Sequence, residues 1–144
     1  MRSFLLGPAL YGSKAADFGL LILRLVGGLT LAFAHGFGKV PPAQGFVGMI
    51  GRLGFPMPEA AAWGSALVET AVALLVAIGL LTRPASLVLT VYFLVIVFWV
   101  HGADQFKDKE PAVMFLMWAA TLLFTGPGRF SLDWIAAGRG RRTT

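Results

Sequence analysis

Four stretches of this chain are almost free of charge, and each is bounded by proline, glycine or clustered polar residues. They cover residues 17–37, 59–81, 84–101 and 111–125. A membrane-spanning helix needs roughly 20 predominantly apolar residues, with about 17 as a practical minimum. The last two stretches are short, so their ends must sit close to the interfaces. Only "TRP" (Thr82–Pro84) separates the second stretch from the third, which makes those helices antiparallel neighbours. Pro84 and Pro111 suit the first turns of the third and fourth helices, where a missing N–H costs nothing. The pattern predicts one all-α domain over residues 1–144, an integral membrane four-helix bundle.

The connection between the first two helices differs from the others. "GKVPPAQGFVGMIGRLGFPMP" is rich in Gly and Pro but keeps Phe46, Val47, Met49, Ile50, Leu53 and Phe55. Those side chains would gain nothing from water, so a re-entrant or amphipathic segment against the bundle mouth is expected. There is no internal repeat and no low-complexity linker.

Composition sharpens the membrane reading. Of 144 residues 57% are hydrophobic and 13% are charged, against about a quarter charged in ordinary soluble domains. A soluble chain this small could not hide so much apolar surface. The net charge of +5 lies at segment ends, including "RGRR" near the C-terminus, which suits lipid headgroups rather than nucleic acid. The absence of cysteine rules out disulfides, thiolate metal sites and dithiol chemistry within the chain. No haem, flavin or metal motif is present, and no cleavable signal peptide is expected from the first residues. Seven cations (Arg2, Lys14, Arg83, Arg129, Arg139, Arg141, Arg142) fall on one side of the predicted topology. Four (Lys39, Arg52, Lys107, Lys109) fall on the other. The positive-inside rule then puts both termini in the cytoplasm.

The candidate chemistry is the set of polar residues the helices carry. Arg24, Gly28 and His35 share one face of the first helix at 3.6 residues per turn, and Lys39 would continue it. Gly28, Ala32 and Gly36 form a row of small residues that lets another helix approach. Glu69 lies about 15 Å into the second helix, on a face with Ala62, Ser65, Ala66 and Ala73. Ser86, Thr90, Val97 and His101 align on the third helix, and Glu110, Met114, Met117, Thr121 and Thr125 on the fourth. His35, Lys39, His101 and Glu110 then share the outer end as ligand-binding or proton-relay candidates, with Glu69 deeper. Arg24 and Glu69 are expected at depths about one turn apart, as a structural ion pair that fixes register. Other readings stay open. The two histidines can be interfacial caps, or with a carboxylate a metal site, although no diagnostic spacing supports a metal. Met114 and Met117 read as packing, and Trp63, Tyr92, Trp99, Trp118 and Trp134 as interfacial anchors or packing.

The stretches "LRLVGGLTLAFAHGFGKV" and "LVETAVALLVAIGLLTRPAS", His101 at the end of the third helix, and "GPGRFSLD" (Gly126–Asp133) together resemble the DoxX family of small bacterial membrane proteins. The resemblance runs from about Phe18 to Asp133. It implies a four-helix inner-membrane protein, with relatives among thiosulfate:quinone oxidoreductase subunits and redox-stress complexes.

Two functions of different class follow. One is a redox-associated inner-membrane subunit that binds a quinone-like ligand or small anion in a polar, outward-facing cleft. Its motivation is two imidazoles near neutral pH, a lysine and a buried carboxylate. Electrons would then need a bound cofactor or a soluble or membrane redox partner. The other is a non-catalytic scaffold that docks a larger enzyme through Phe46 and Phe55. A small-solute transporter is a weaker reading, because four short helices without an inverted repeat leave little room for alternating access unless they form a homo-oligomer.

Overall fold

The computed structural model describes residues 13–140, and it is all-helical there. Arg2, Arg141 and Arg142, counted above for orientation, lie outside the described residues. Six helices follow one another: α1 (Lys14–Lys39), α2 (Gln44–Arg52), α3 (Pro58–Ile78), α4 (Thr82–Val100), α5 (Phe106–Thr125) and α6 (Leu132–Gly140). Among the described residues α1, α3 and α4 are long and apolar enough to cross a membrane. Helix α5 packs along α4 to complete the bundle, and α3 packs on α1. The apolar part of α5 begins only at Pro111, because the helix starts at Phe106, five residues earlier than expected. Its first turns carry Lys107, Asp108, Lys109 and Glu110. Pro111 is therefore inside the helix and not in its first turn.

The bundle is packed by small residues and faced with large ones. Ala32, Ala66, Ala73 and Ala119 are fully buried beside Leu31, Leu89, Leu122 and Val76. Phe33, Phe98 and Phe124 stand outward, as expected where lipid is the solvent. The row on α1 does what its spacing predicts. A Cβ on Gly28 would sit 2.7 Å from the Ala73 carbonyl oxygen, and one on Gly36 would sit 2.6 Å from that of Glu69. The two backbones touch there, and no side chain fits between them.

Three of the four bundle helices are not regular throughout. Each contains a π-helical segment: Leu31–Gly36 in α1, Val68–Val72 in α3 and Ile96–Val100 in α4. One extra residue in a turn delays everything after it by about 100°. Even so, Gly36 on α1, Ala73 on α3 and Val97 on α4 stay buried on the faces expected at 3.6 residues per turn.

The opposite end is closed by the Gly126–Asp133 loop. Asp133 caps α4: its carboxylate accepts from Leu81 N–H and Thr82 N–H, both at 2.8 Å, and its own N–H donates to the Gly79 carbonyl at 2.9 Å. Gly79 adopts a left-handed conformation (φ 73°), and a Cβ there would meet Arg24 Nη1 at 2.0 Å. Arg24 is fully buried and donates from Nη2 to the Phe130 carbonyl at 2.5 Å. Asp17, also buried, accepts from Arg129 N–H at 3.1 Å and lies 3.3 Å from Arg129 Nε. The polar residues of this end thus tie the loop to α1, α3 and α4.

Candidate functional site

At the end of the bundle away from that loop, a cavity of about 490 Å³ opens between α1, α3, α4 and α5, with α2 across it. This lies within the usual ligand-pocket range of about 300–1,000 Å³. The chain enters α2 after Pro41 and Pro42 and leaves it through Gly54 (φ 80°), so the nine-residue helix folds back over the bundle. Its apolar face supplies Phe46, Met49 and Ile50 to the cavity, followed by Leu53 and Phe55. The C-terminal end is pinned to α4: Trp99 Nε1 donates to the Leu53 carbonyl at 3.1 Å, and the Trp99 and Phe55 rings lie 5.1 Å apart. Of the two expectations for this segment, the amphipathic one describes it.

The polar wall is built around Glu69. Gly36 brings the end of α1 against the Glu69 backbone, and three residues later Lys39 Nζ reaches Glu69 Oε2 at 2.5 Å. Glu69 is 5% exposed, so its charge would be costly without that ammonium. The Tyr92 hydroxyl donates to Glu69 Oε1 at 2.5 Å and lies 2.7 Å from Ser65 Oγ. Lys39 Nζ also stands over the Phe46 ring, 5.3 Å from its centroid, and so joins the polar wall to α2. His35 and His101 both line the cavity. His35 is edge-on to Phe115 at 5.5 Å, and His101 Nδ1 lies 2.7 Å from Asp104 Oδ2.

The rest of the lining is aromatic and aliphatic. Phe93 and Phe115 stack with centroids 5.5 Å apart and planes 18° from parallel, and Tyr92 meets Phe93 edge-to-face at 5.1 Å. The expected polar cleft is therefore an apolar chamber with one polar wall.

Two expectations from the sequence are corrected. Arg24 and Glu69 do not pair. The antiparallel register sets Arg24 beside Gly79, ten residues along α3 from Glu69, or about 15 Å. Glu69 takes Lys39, and Arg24 takes the loop carbonyl. Glu110 does not line the cavity. The inward face of α5 is Asp108, Pro111, Ala112 and Phe115. Glu110 shares the outward face with Met114 and Met117, which are 64% and 61% exposed. The threonines of that face satisfy their hydroxyls on helix carbonyls, Thr121 on Met117 and Thr125 on Thr121.

Sequence reasoning missed Tyr92 as a site residue, and it missed Asp104, Asp108 and the Phe93–Phe115 pair. A tyrosine at mid-helix in a lipid-facing segment was one available signal, since a buried hydroxyl needs a partner. Among the described residues no three His, Asp or Glu side chains gather as a metal site.

Comparison with known proteins agrees with this architecture. The model of the family described as DoxX matches residues 19–102. The inner membrane protein YphA of Escherichia coli strain K12 is 30% identical over 131 residues, covering 81% of this chain and 94% of YphA. No solved structure gives a significant match.

Proposed function

The chain belongs to the DoxX family, and from that premise we propose that it binds a lipophilic ring compound of the quinone class in the α2-covered cavity, as a subunit associated with membrane redox chemistry. The observation that carries this reading is the pairing of a stacked aromatic wall with a single buried carboxylate network. Phe93 and Phe115 suit a flat ring, and the Glu69–Lys39–Tyr92 cluster gives its oxygen substituents a polar wall to meet. The small-anion alternative loses its main support, because Lys39 is already neutralised by Glu69. The docking alternative loses its anchors too, because Phe46 and Phe55 line the cavity. With no cysteine in the chain, electrons would pass through the ligand or a partner and not through a dithiol. The cation distribution supports a cytoplasmic loop end and a cavity end facing outward. A single cysteine at Lys107 should be labelled from the periplasm by an impermeant maleimide, and labelling only from the cytoplasm would reverse this orientation.

Binding is tested with the full chain in phospholipid nanodiscs, titrated in parallel with decylubiquinone and with its hydroquinone. Saturable binding above that of empty discs is expected, with a loss of about tenfold or more in Phe115→Ala. Partitioning equal to that of empty discs would overturn the proposal.

A further inference from the structure

The hydrogen-bonding polarity of the cavity wall can be worked out group by group, and it selects among lipophilic rings. This step rests on the cavity being the ligand site proposed above. Glu69 Oε2 accepts from the Lys39 ammonium at 2.5 Å and Oε1 accepts from Tyr92, so both carboxylate oxygens act as acceptors. The Tyr92 hydroxyl has one proton, and the 2.5 Å bond to Glu69 Oε1 uses it. The 2.7 Å contact with Ser65 must then run from the serine hydroxyl to the tyrosine oxygen, which uses the serine proton as well. At the cavity mouth the Asp104 carboxylate faces His101 Nδ1 at 2.7 Å, so that nitrogen carries the proton. Asp108, also in the lining, adds a further carboxylate. Lys39 gives one N–H to Glu69, sits over the Phe46 ring and keeps two further N–H groups.

The hydroxyl donors of the wall are therefore spent on Tyr92 and Glu69, while Lys39 and His35 keep ring or ammonium N–H groups and Glu69 keeps unshared acceptor capacity inside the cavity. A ring that presents only carbonyl oxygens can take an N–H from Lys39 but sets acceptor against acceptor at Glu69. A ring that presents O–H groups would complete the carboxylate's coordination. From this geometry we infer that the cavity selects the hydroxyl-bearing form of its ligand, a phenol or hydroquinone rather than the corresponding ether or dicarbonyl, with Glu69 as the principal acceptor.

A matched pair of probes tests this without any redox step. 4-Nonylphenol and 4-nonylanisole differ only in O–H against O–CH₃, and both are titrated calorimetrically into the wild-type chain in nanodiscs with empty discs subtracted. The phenol is expected to bind about tenfold tighter or more, the scale of one hydrogen bond to a charged group. Equal affinities, or a tighter ether, would overturn the donor preference while leaving the cavity as a binding site. Saturable binding of neither would overturn both readings. In Glu69→Gln the phenol preference should fall by most of its value, since a neutral amide accepts less strongly. Full retention of the preference there would remove Glu69 as the acceptor. The wild-type comparison decides whether or not that variant folds.

Discussion

The two ends of this bundle use similar residues for opposite purposes. At the loop end Asp17, Arg24 and Asp133 are directed at backbone: the carboxylates cap or receive N–H groups, and the guanidinium holds a carbonyl. The helices around them are regular, Gly79 and Gly128 turn the chain through positive φ, and a Cβ on Gly79 would collide with Arg24. At the cavity end Lys39, Glu69 and Tyr92 are directed at one another across three helices. Three π-helical segments run beside them. A charge that fixes the chain needs a backbone partner and no space, whereas a charge that meets a ligand needs a side-chain partner and an open wall. The difference teaches that a buried charge in a membrane bundle is read from its partner rather than from its depth.

Breaking the loop end should have the largest effect. Asp133→Ala removes both caps on α4 and a carboxylate close enough to act electrostatically on Arg24. It should cost about 3–5 kcal/mol in detergent unfolding. Residual folded protein should bind decylubiquinone with unchanged affinity, because Asp133 is remote from the cavity. Gly36→Ala comes next, since its Cβ would lie 2.6 Å from the Glu69 carbonyl oxygen. Overpacking of that kind costs about 1–3 kcal/mol. It should also weaken ligand binding by separating Lys39 from Glu69, which links the two halves of the comparison in one variant.

A smaller effect is expected for the Lys39–Glu69 pair itself. The lysine side chain is 27% exposed, so a double-mutant cycle with Lys39→Met and Glu69→Gln should give a coupling near 1 kcal/mol. The same cycle on Arg24 and Glu69 should give none. Glu110→Gln is the smallest case. The residue faces outward with Met114, and the change should stay within about 0.5 kcal/mol and leave probe binding alone.

Much of the fold was legible because lipid makes apolar length a strong signal. The helical class followed from it, and the close approach of α1 to α3 followed from the spacing of Gly28, Ala32 and Gly36. That His35, Lys39 and His101 lie toward one end could be anticipated from topology; Glu69, expected deeper beside Arg24, lines the same cavity. The partners could not be anticipated. Pairing Arg24 with Glu69 assumed a depth match of one turn, and register in an antiparallel pair depends on where the backbones touch. Glu110 was misplaced because Thr121 and Thr125 made its face look inward, whereas their hydroxyls bond to carbonyls of their own helix and the face points outward. The π-helical turns of α1, α3 and α4 are silent in hydropathy.

The central claim is that the α2-covered chamber, rather than the lipid-facing surface, receives the ligand. The most direct measurement is photolabelling of the full chain in nanodiscs with a diazirine-bearing alkylphenol, with the labelled residues mapped by mass spectrometry. The account predicts labels on Met49, Ile50, Tyr92 and Phe115 that excess 4-nonylphenol abolishes. Labels confined to Phe33, Phe98, Met114 and Met117 and indifferent to competitor would contradict it.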